Sequence, residues 1–163
     1  MTFYAAQISG EPTWQKLITE PGGRFVNAWL IAAALAVPWK SRAAWLLEAE
    51  GQIVYNFGDQ EHWEINVAPI VARWQRFPWS ERLATSAAFG LGLSYATEVP
   101  EVEIELEGQS QRWLIYWMAE FTAGPPDTGW AVTLRLHHRS DAWGVMGEDG
   151  GMNAVGVGVR YAF

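Results

Sequence analysis

The 163-residue sequence contains no cysteine. Disulfide bonds, thiolate zinc sites and a cysteine nucleophile are therefore excluded, although the cellular compartment stays open. No apolar run reaches the roughly 18 residues of a membrane-spanning helix, and the longest, AWLIAAALAVPW at residues 28–39, is too short. The amino-terminal stretch lacks a basic segment followed by an apolar one, so we expect either a protein that is not exported or one whose signal peptide has been removed.

Positive charge is also scarce, with 11 Lys and Arg against 18 Asp and Glu and a formal net charge of -7. This balance argues against nucleic acid as a partner. Aromatic side chains are abundant instead, and the chain has 11 tryptophans. Because tryptophan favours boundaries between apolar and aqueous surroundings, its abundance points to an interface or a membrane surface. The length and the 50% hydrophobic content predict one folded domain over residues 1–163.

Turn-rich breaks divide the chain into eight segments of about 10 to 14 residues, which predicts a meander of strands. The alternation is cleanest in the last segment, NAVGVGVRYAF, where large apolar residues occupy the odd positions. In HWEINVAPIV, the same pattern places Val71 on one face with Trp63, Ile65 and Val67. The segment FVNAWLIAAALAV alternates poorly, and its periodicity is equally compatible with a buried helix.

The polar faces of these segments carry charged residues, whereas the opposite faces carry bulky apolar ones. The predicted polar-face residues are Glu48, Glu50, Glu64, Glu120, Arg135, His137, Arg139 and Arg160. A membrane barrel turns the bulky face outward to lipid, and a soluble barrel turns it inward. Small residues opposite the bulky ones, aromatic residues near segment ends and the terminal YAF favour an all-β, eight-stranded antiparallel transmembrane β-barrel. A soluble barrel that binds an apolar ligand is the alternative.

The stretch LRLHHRSDAWG, residues 134–144, follows an alternating run. Continuing its parity sends His137 into the barrel, where it would join the interior glutamates. His138 and Ser140 then share the outward face near the rim, where a histidine can activate a hydroxyl. The plainer interpretation is that both groups are only solvated there. The adjacent histidines point to opposite faces and His62 is the only other one, so we expect no metal site and no cofactor.

RLHHRSDAWG followed by GGMNAVGVGVRYAF resembles the end of the PagL-type lipid A 3-O-deacylases, which are eight-stranded outer-membrane barrels. The resemblance implies a serine esterase whose triad lies on the outer wall of the barrel and which hydrolyses an acyl ester of lipid A. His138 matches the base of the family motif and Ser140 the nucleophile. Asp141 stands where the family has its oxyanion-hole asparagine, and a carboxylate there would repel a developing oxyanion.

The family's triad glutamate has no clean match in this sequence. Asn153 is the candidate for the residue that orients His138, with Glu148 as the second candidate, and the Gly144 region is a candidate backbone donor to the oxyanion. The leading prediction is therefore a lipid A deacylase-like serine esterase of the bacterial outer membrane, with membrane lipid as its partner. The alternative is a non-catalytic barrel of the same fold with a structural or partner-binding role. An oligomer or a protein partner is left open.

Overall fold

The computed structural model describes residues 1–11, 13–19, 23–147 and 150–163, except the side chain at position 18. The described chain contains eight strands and two short helices. The strands are β1 (Thr2–Ser9), β2 (Phe25–Arg42), β3 (Trp45–Gly58), β4 (His62–Trp74), β5 (Ala84–Ala96), β6 (Trp113–Gly124), β7 (Trp130–Ser140) and β8 (Gly151–Tyr161), and the helices are α1 (Trp14–Thr19) and α2 (Glu101–Glu107). Neither of these helices is long and apolar enough to cross a membrane.

The eight strands form a closed barrel in which each strand pairs with the next and β8 pairs with β1. All of these pairings are antiparallel. The predicted all-β, eight-stranded antiparallel barrel is therefore confirmed. The poorly alternating second segment belongs to β2, which is 18 residues long. Its alternation is weak because its inward residues Leu30 and Ala32 are also apolar, and they pack in a buried cluster with Val54.

The two ends of the barrel differ in their connections. The connections after β1, β3, β5 and β7 lie at one end, here named the loop end, and the two termini lie at the other, named the terminal end. The helix α2 lies between β5 and β6 and buries Val102 and Glu103. Val102 belongs to the same buried cluster as Tyr4 and Ile8, whose side chains point into the barrel. The interior is thus covered by α2 at the loop end.

The outer wall of the barrel carries large, exposed apolar side chains. Aromatic residues lie towards both ends and aliphatic residues lie between them. Examples are Trp29, Phe57, Trp63 and Trp113 towards the loop end, Trp39, Trp45, Trp130 and Tyr161 towards the terminal end, and Ile31, Ile53, Ile65, Leu91 and Leu134 between them. The alternative of a soluble barrel predicts this bulky face inside the barrel, whereas the structure places it on the outer wall.

The sequence pattern assigned Val71 to the outward face, and that assignment is wrong. Val71 points into the barrel and is fully buried, whereas Ile70 beside it is 57% exposed. The pairing of β4 with β5 shifts between Val67 and Ile70, and both Pro69 and Ile70 are exposed. A β-bulge adds one residue to a strand and reverses the parity beyond it. Proline has no N–H to donate to the hydrogen-bond ladder, and it is tolerated at a bulge because the ladder is interrupted there.

The interior also contains an ionic network. Arg73 lies 2.7 Å from Glu48 and 2.8 Å from Glu120. Arg135 lies 3.0 Å from Glu120 and also pairs with Glu50, and a further guanidinium, that of Arg160, lies 2.6 Å from Glu48. Buried charges are stable only when paired in this way. The predicted inward orientation of the charged residues is confirmed.

Candidate active site

The last residues of β7 place the two sequence-predicted site residues of this strand on the outer wall. His138 and Ser140 are half-buried, whereas Arg139 between them is fully buried in the interior. Across the sheet, His138 lies opposite Asn153 of β8, so that the two side chains are neighbours on the same face. The β-pairing thus brings together two of the predicted site residues that are distant in sequence.

A hydrogen bond joins His138 to Asn153. The Nδ1 atom of His138 lies 2.7 Å from Oδ1 of Asn153. An amide oxygen only accepts, so Nδ1 carries the proton and Nε2 is left with the lone pair that a general base needs. Asn153 is only 4% exposed although it lies on the outer face. The contact therefore fixes both the tautomer and the orientation of the imidazole.

Ser140 is held differently. Its Oγ accepts a hydrogen bond from the backbone N–H of Ala142 at 3.4 Å. Among the described residues, no hydrogen bond joins the Ser140 hydroxyl to the His138 ring. Residues two apart on a strand are separated by about 7 Å, so the side chains must turn towards each other to meet. The two residues therefore lie on the same face of β7, but their side chains are not joined by a hydrogen bond in this structure.

Asp141 begins the connection between β7 and β8. Its carboxylate accepts a hydrogen bond from the backbone N–H of Gly144, and its backbone carbonyl accepts one from Met146 at 3.0 Å. Aspartate commonly closes turns in this way. The carboxylate is therefore engaged by its own loop. The Gly144 N–H is engaged by this carboxylate, so in this arrangement it is not the donor of the Gly144 region that faces an oxyanion.

The second orienting candidate, Glu148, lies outside the described residues. The inward histidine of the pair, His137, has its Nε2 3.0 Å from Glu64 and its Nδ1 2.9 Å from the Tyr4 hydroxyl. Both ring nitrogens are thus occupied in the interior, as the parity predicted. No group of three His, Asp or Glu side chains placed to hold a metal ion occurs among the residues that the structure describes.

The inward end of β7 contacts α2. Arg139 Nε lies 3.0 Å from Glu103 Oε1, although the pair is not aligned as a hydrogen bond. The Ser110 hydroxyl donates to the other oxygen of Glu103. Burial raises the pKa of Glu103 to about 7, and the nearby Arg139 charge and the Ser110 hydrogen bond only partly oppose that effect. This carboxyl is therefore poised to titrate near neutral pH.

Sequence reasoning missed the aromatic surroundings of His138. The ring of Trp117 on β6 lies with its centroid 4.5 Å from that of His138, and the two planes are 34° apart. Trp14 of α1 contacts Trp117 edge-on at 5.6 Å. Alternation along β6 could have placed Trp117 on the outer face. Its position opposite His138 depends on the β6–β7 register, which the sequence does not reveal.

Comparisons with known proteins bear on the fold. No protein-family profile matches the sequence, and a comparison with curated proteins found no match. Among solved structures, the barrel is similar to the outer membrane enzyme PagL, with a TM-score of 0.62 and 11% sequence identity. The similarity covers 99% of each chain. At this identity the likeness concerns the fold alone: the chain has the barrel fold of the outer membrane enzyme PagL.

Proposed function

We propose that the protein is a β-barrel of the bacterial outer membrane. The support is the orientation of its side chains, with aliphatic residues exposed around the middle of the barrel and aromatic residues towards both ends. Water-soluble monomers rarely expose apolar surface on this scale, whereas transmembrane barrels carry such a band between aromatic girdles. The charged residues that a soluble protein would expose are paired inside. The fold of the outer membrane enzyme PagL supports the same location.

We further propose that the outer wall carries a serine esterase site. The observation that carries this proposal is the 2.7 Å contact between His138 and Asn153, which leaves Nε2 unprotonated on the outer face that His138 shares with Ser140. In the reaction, Ser140 turns towards His138 and Nε2 takes the hydroxyl proton as Oγ attacks an ester carbonyl. The tetrahedral intermediate then expels the alcohol, which receives that proton. Water hydrolyses the acyl-enzyme by the same steps.

The developing oxyanion needs a hydrogen-bond donor near Ser140. The backbone N–H of Ala142 lies 3.4 Å from Ser140 Oγ and is such a donor. Once Oγ has become part of the tetrahedral intermediate, the neighbouring oxyanion is within reach of this N–H. The Asp141 carboxylate accepts a hydrogen bond from the Gly144 N–H, which ties it to its own loop. The proposal requires that this contact keep the carboxylate turned away from the oxyanion.

The location of the site indicates its substrate. His138 and Ser140 lie at the loop-end rim of the outer wall, next to the exposed apolar band. In an outer membrane, the ester groups of lipids lie between such a band and water. We propose an acyl ester of lipid A as the substrate, which the resemblance of RLHHRSDAWG to the deacylase motif favours over other lipids.

The test is mass spectrometry of lipid A from cells that express the wild-type protein or Ser140→Ala. We expect the wild type to remove one acyl chain and Ser140→Ala to leave the acyl count unchanged. Ser41→Ala is a matched control, because Ser41 is exposed on β2 away from the site. A fluorophosphonate probe should label the wild type and Ser41→Ala but not Ser140→Ala. An unchanged acyl count with folded wild-type protein in the membrane contradicts the esterase proposal.

A non-catalytic barrel is the second candidate, and one observation favours it. Within the described part of the chain, the Ser140 hydroxyl accepts a hydrogen bond from Ala142 and forms none with His138. If that arrangement persists in the membrane, Ser140 is not activated and the probe leaves it unlabelled. The protein would then have a structural or partner-binding role on the same fold, alone or as an oligomer.

A further inference from the structure

Trp117 is less exposed than two other outward tryptophans on its own strand and the next. Trp113 on the same strand and Trp130 on β7 are both 54% exposed, whereas Trp117 is half-buried. Its ring is covered by His138 on one side and by Trp14 on another. The contact with a candidate site residue is what this position has in addition to its place on the outer wall.

The contact with Trp14 joins two parts of the chain that are distant around the barrel. Trp14 of α1 follows β1 closely in sequence, yet its ring contacts a residue of β6. In the closed barrel β8 and β7 separate β1 from β6. Trp14 therefore lies against the outer face of β6, where it covers part of the Trp117 ring.

The ring of His138 is held by residues of the two strands that flank β7. Asn153 of β8 fixes Nδ1 at 2.7 Å, and the indole of Trp117 on β6 lies against the ring face at a centroid distance of 4.5 Å. An amide fixes the orientation of an imidazole but stabilises its charged form less than a carboxylate does. The face of an indole attracts a cation placed over it.

We propose that Trp117 is a positioning residue for His138. Its indole face holds the imidazole in the orientation that Asn153 selects, and it stabilises the imidazolium that forms when Ser140 gives up its proton. This inference rests on the proposed esterase function. Because the imidazolium exists only after proton transfer, the contact acts on kcat more than on KM.

The experiment compares Trp117→Leu and Trp117→Phe with the control Trp113→Leu, each measured with a micellar p-nitrophenyl ester. We expect Trp117→Leu to lower kcat roughly three- to tenfold with little change in KM. The acid limb of its pH–rate profile should move to lower pH, because a less stabilised imidazolium holds its proton less firmly. Trp117→Phe should restore most of kcat, and Trp113→Leu should match the wild type. If Trp117→Leu does not fold, the comparison is made with Trp117→Phe and Trp113→Phe, and a smaller shift in the same direction is expected.

A second measurement separates this inference from the esterase proposal. In the Ser140→Ala background, nitrogen-15 histidine NMR follows the protonation of His138 without any turnover. Trp117→Leu should move this titration to lower pH, and Trp113→Leu should not. If the wild type hydrolyses no ester but the titration moves, the esterase proposal fails and the Trp117–imidazolium contact stands. If Trp117→Leu and Trp113→Leu agree in both kcat and titration, the positioning role is overturned.

Discussion

The polar residues on the two faces of β7 lie in different surroundings. On the inner face, Arg135 and His137 are completely buried and contact carboxylates on other strands. On the outer face, His138 is half-buried and its hydrogen bond goes to the neutral Asn153. In the part of the chain that the structure describes, the side chain of Ser140 is held only by the backbone N–H of Ala142. Adjacent residues of one strand thus lie in a dense network of ion pairs on one face and in a sparse, neutral set of contacts on the other.

This difference separates stability from chemistry. A buried charge whose partners surround it stabilises one arrangement and loses that effect if any partner is removed. A histidine with one free nitrogen and a serine with a free proton remain available to react. The inner face of β7 should therefore govern whether the barrel folds, and the outer face should govern what it does. Substitutions on each face test whether stability and reactivity are divided between the two faces in this way.

The largest effect is expected inside, from Arg135→Met. The substitution leaves Glu50 and Glu120 without their shared counter-charge. We expect a loss of about 5 kcal/mol in the free energy of unfolding, since uncompensated buried charge is costly. Urea titration in lipid vesicles measures it. The matched control is Leu134→Met on the outer face, and equal stability of the two variants would contradict a structural role for the network.

The adjacent histidines provide the next test. His138→Gln should lower ester hydrolysis by about 1,000-fold, because it removes the general base, while stability changes little. His137→Gln should instead destabilise the barrel by about 1–3 kcal/mol, because it weakens buried contacts with Glu64 and Tyr4. Hydrolysis per folded molecule should then be retained. The comparison uses kcat and urea midpoints for both variants, and a loss of kcat shared equally by the two would refute the division.

Period-2 alternation was sufficient to predict the barrel and the split of the histidine pair. It assigned His137 and His138 to opposite faces, and it placed the interior charges correctly. It failed at Val71, because the bulge near Pro69 reverses parity without any signal in the apolar pattern. It was also weak at β2, where both faces are apolar because the inward side packs in an apolar cluster that includes Val102 of α2.

The candidate site was only partly predictable. His138 and Ser140 follow from local parity, and Asn153 follows from its odd position on the last strand. The neighbours from other segments do not follow, since Trp117 depends on the register of β6 with β7 and Trp14 on the path of a connection. The engagement of Asp141 with Gly144 depends on turn geometry, with positive φ at Ala142 (55°), Trp143 (59°) and Gly144 (83°).

The smallest effect is expected where the inner network meets α2, and it depends on pH. Burial raises the pKa of Glu103 from an ordinary value of 4.5 to about 7. A raised folded-state pKa means that the neutral form favours the docked helix. The resulting stabilisation is complete below about pH 4.5 and is lost as the pH rises through about 7, by at most about 3 kcal/mol.

Hydrogen exchange of the α2 amides, corrected for intrinsic rates, should therefore show weaker protection at pH 8.5 than at pH 5.5. Glu103→Gln keeps a side chain able to bond Ser110 but cannot ionise, so its protection should no longer fall between these pH values. Glu105→Gln, an exposed position on the same helix, should behave as the wild type does. If Glu103→Gln retains the wild-type pH dependence, a group other than Glu103 controls the docking of α2.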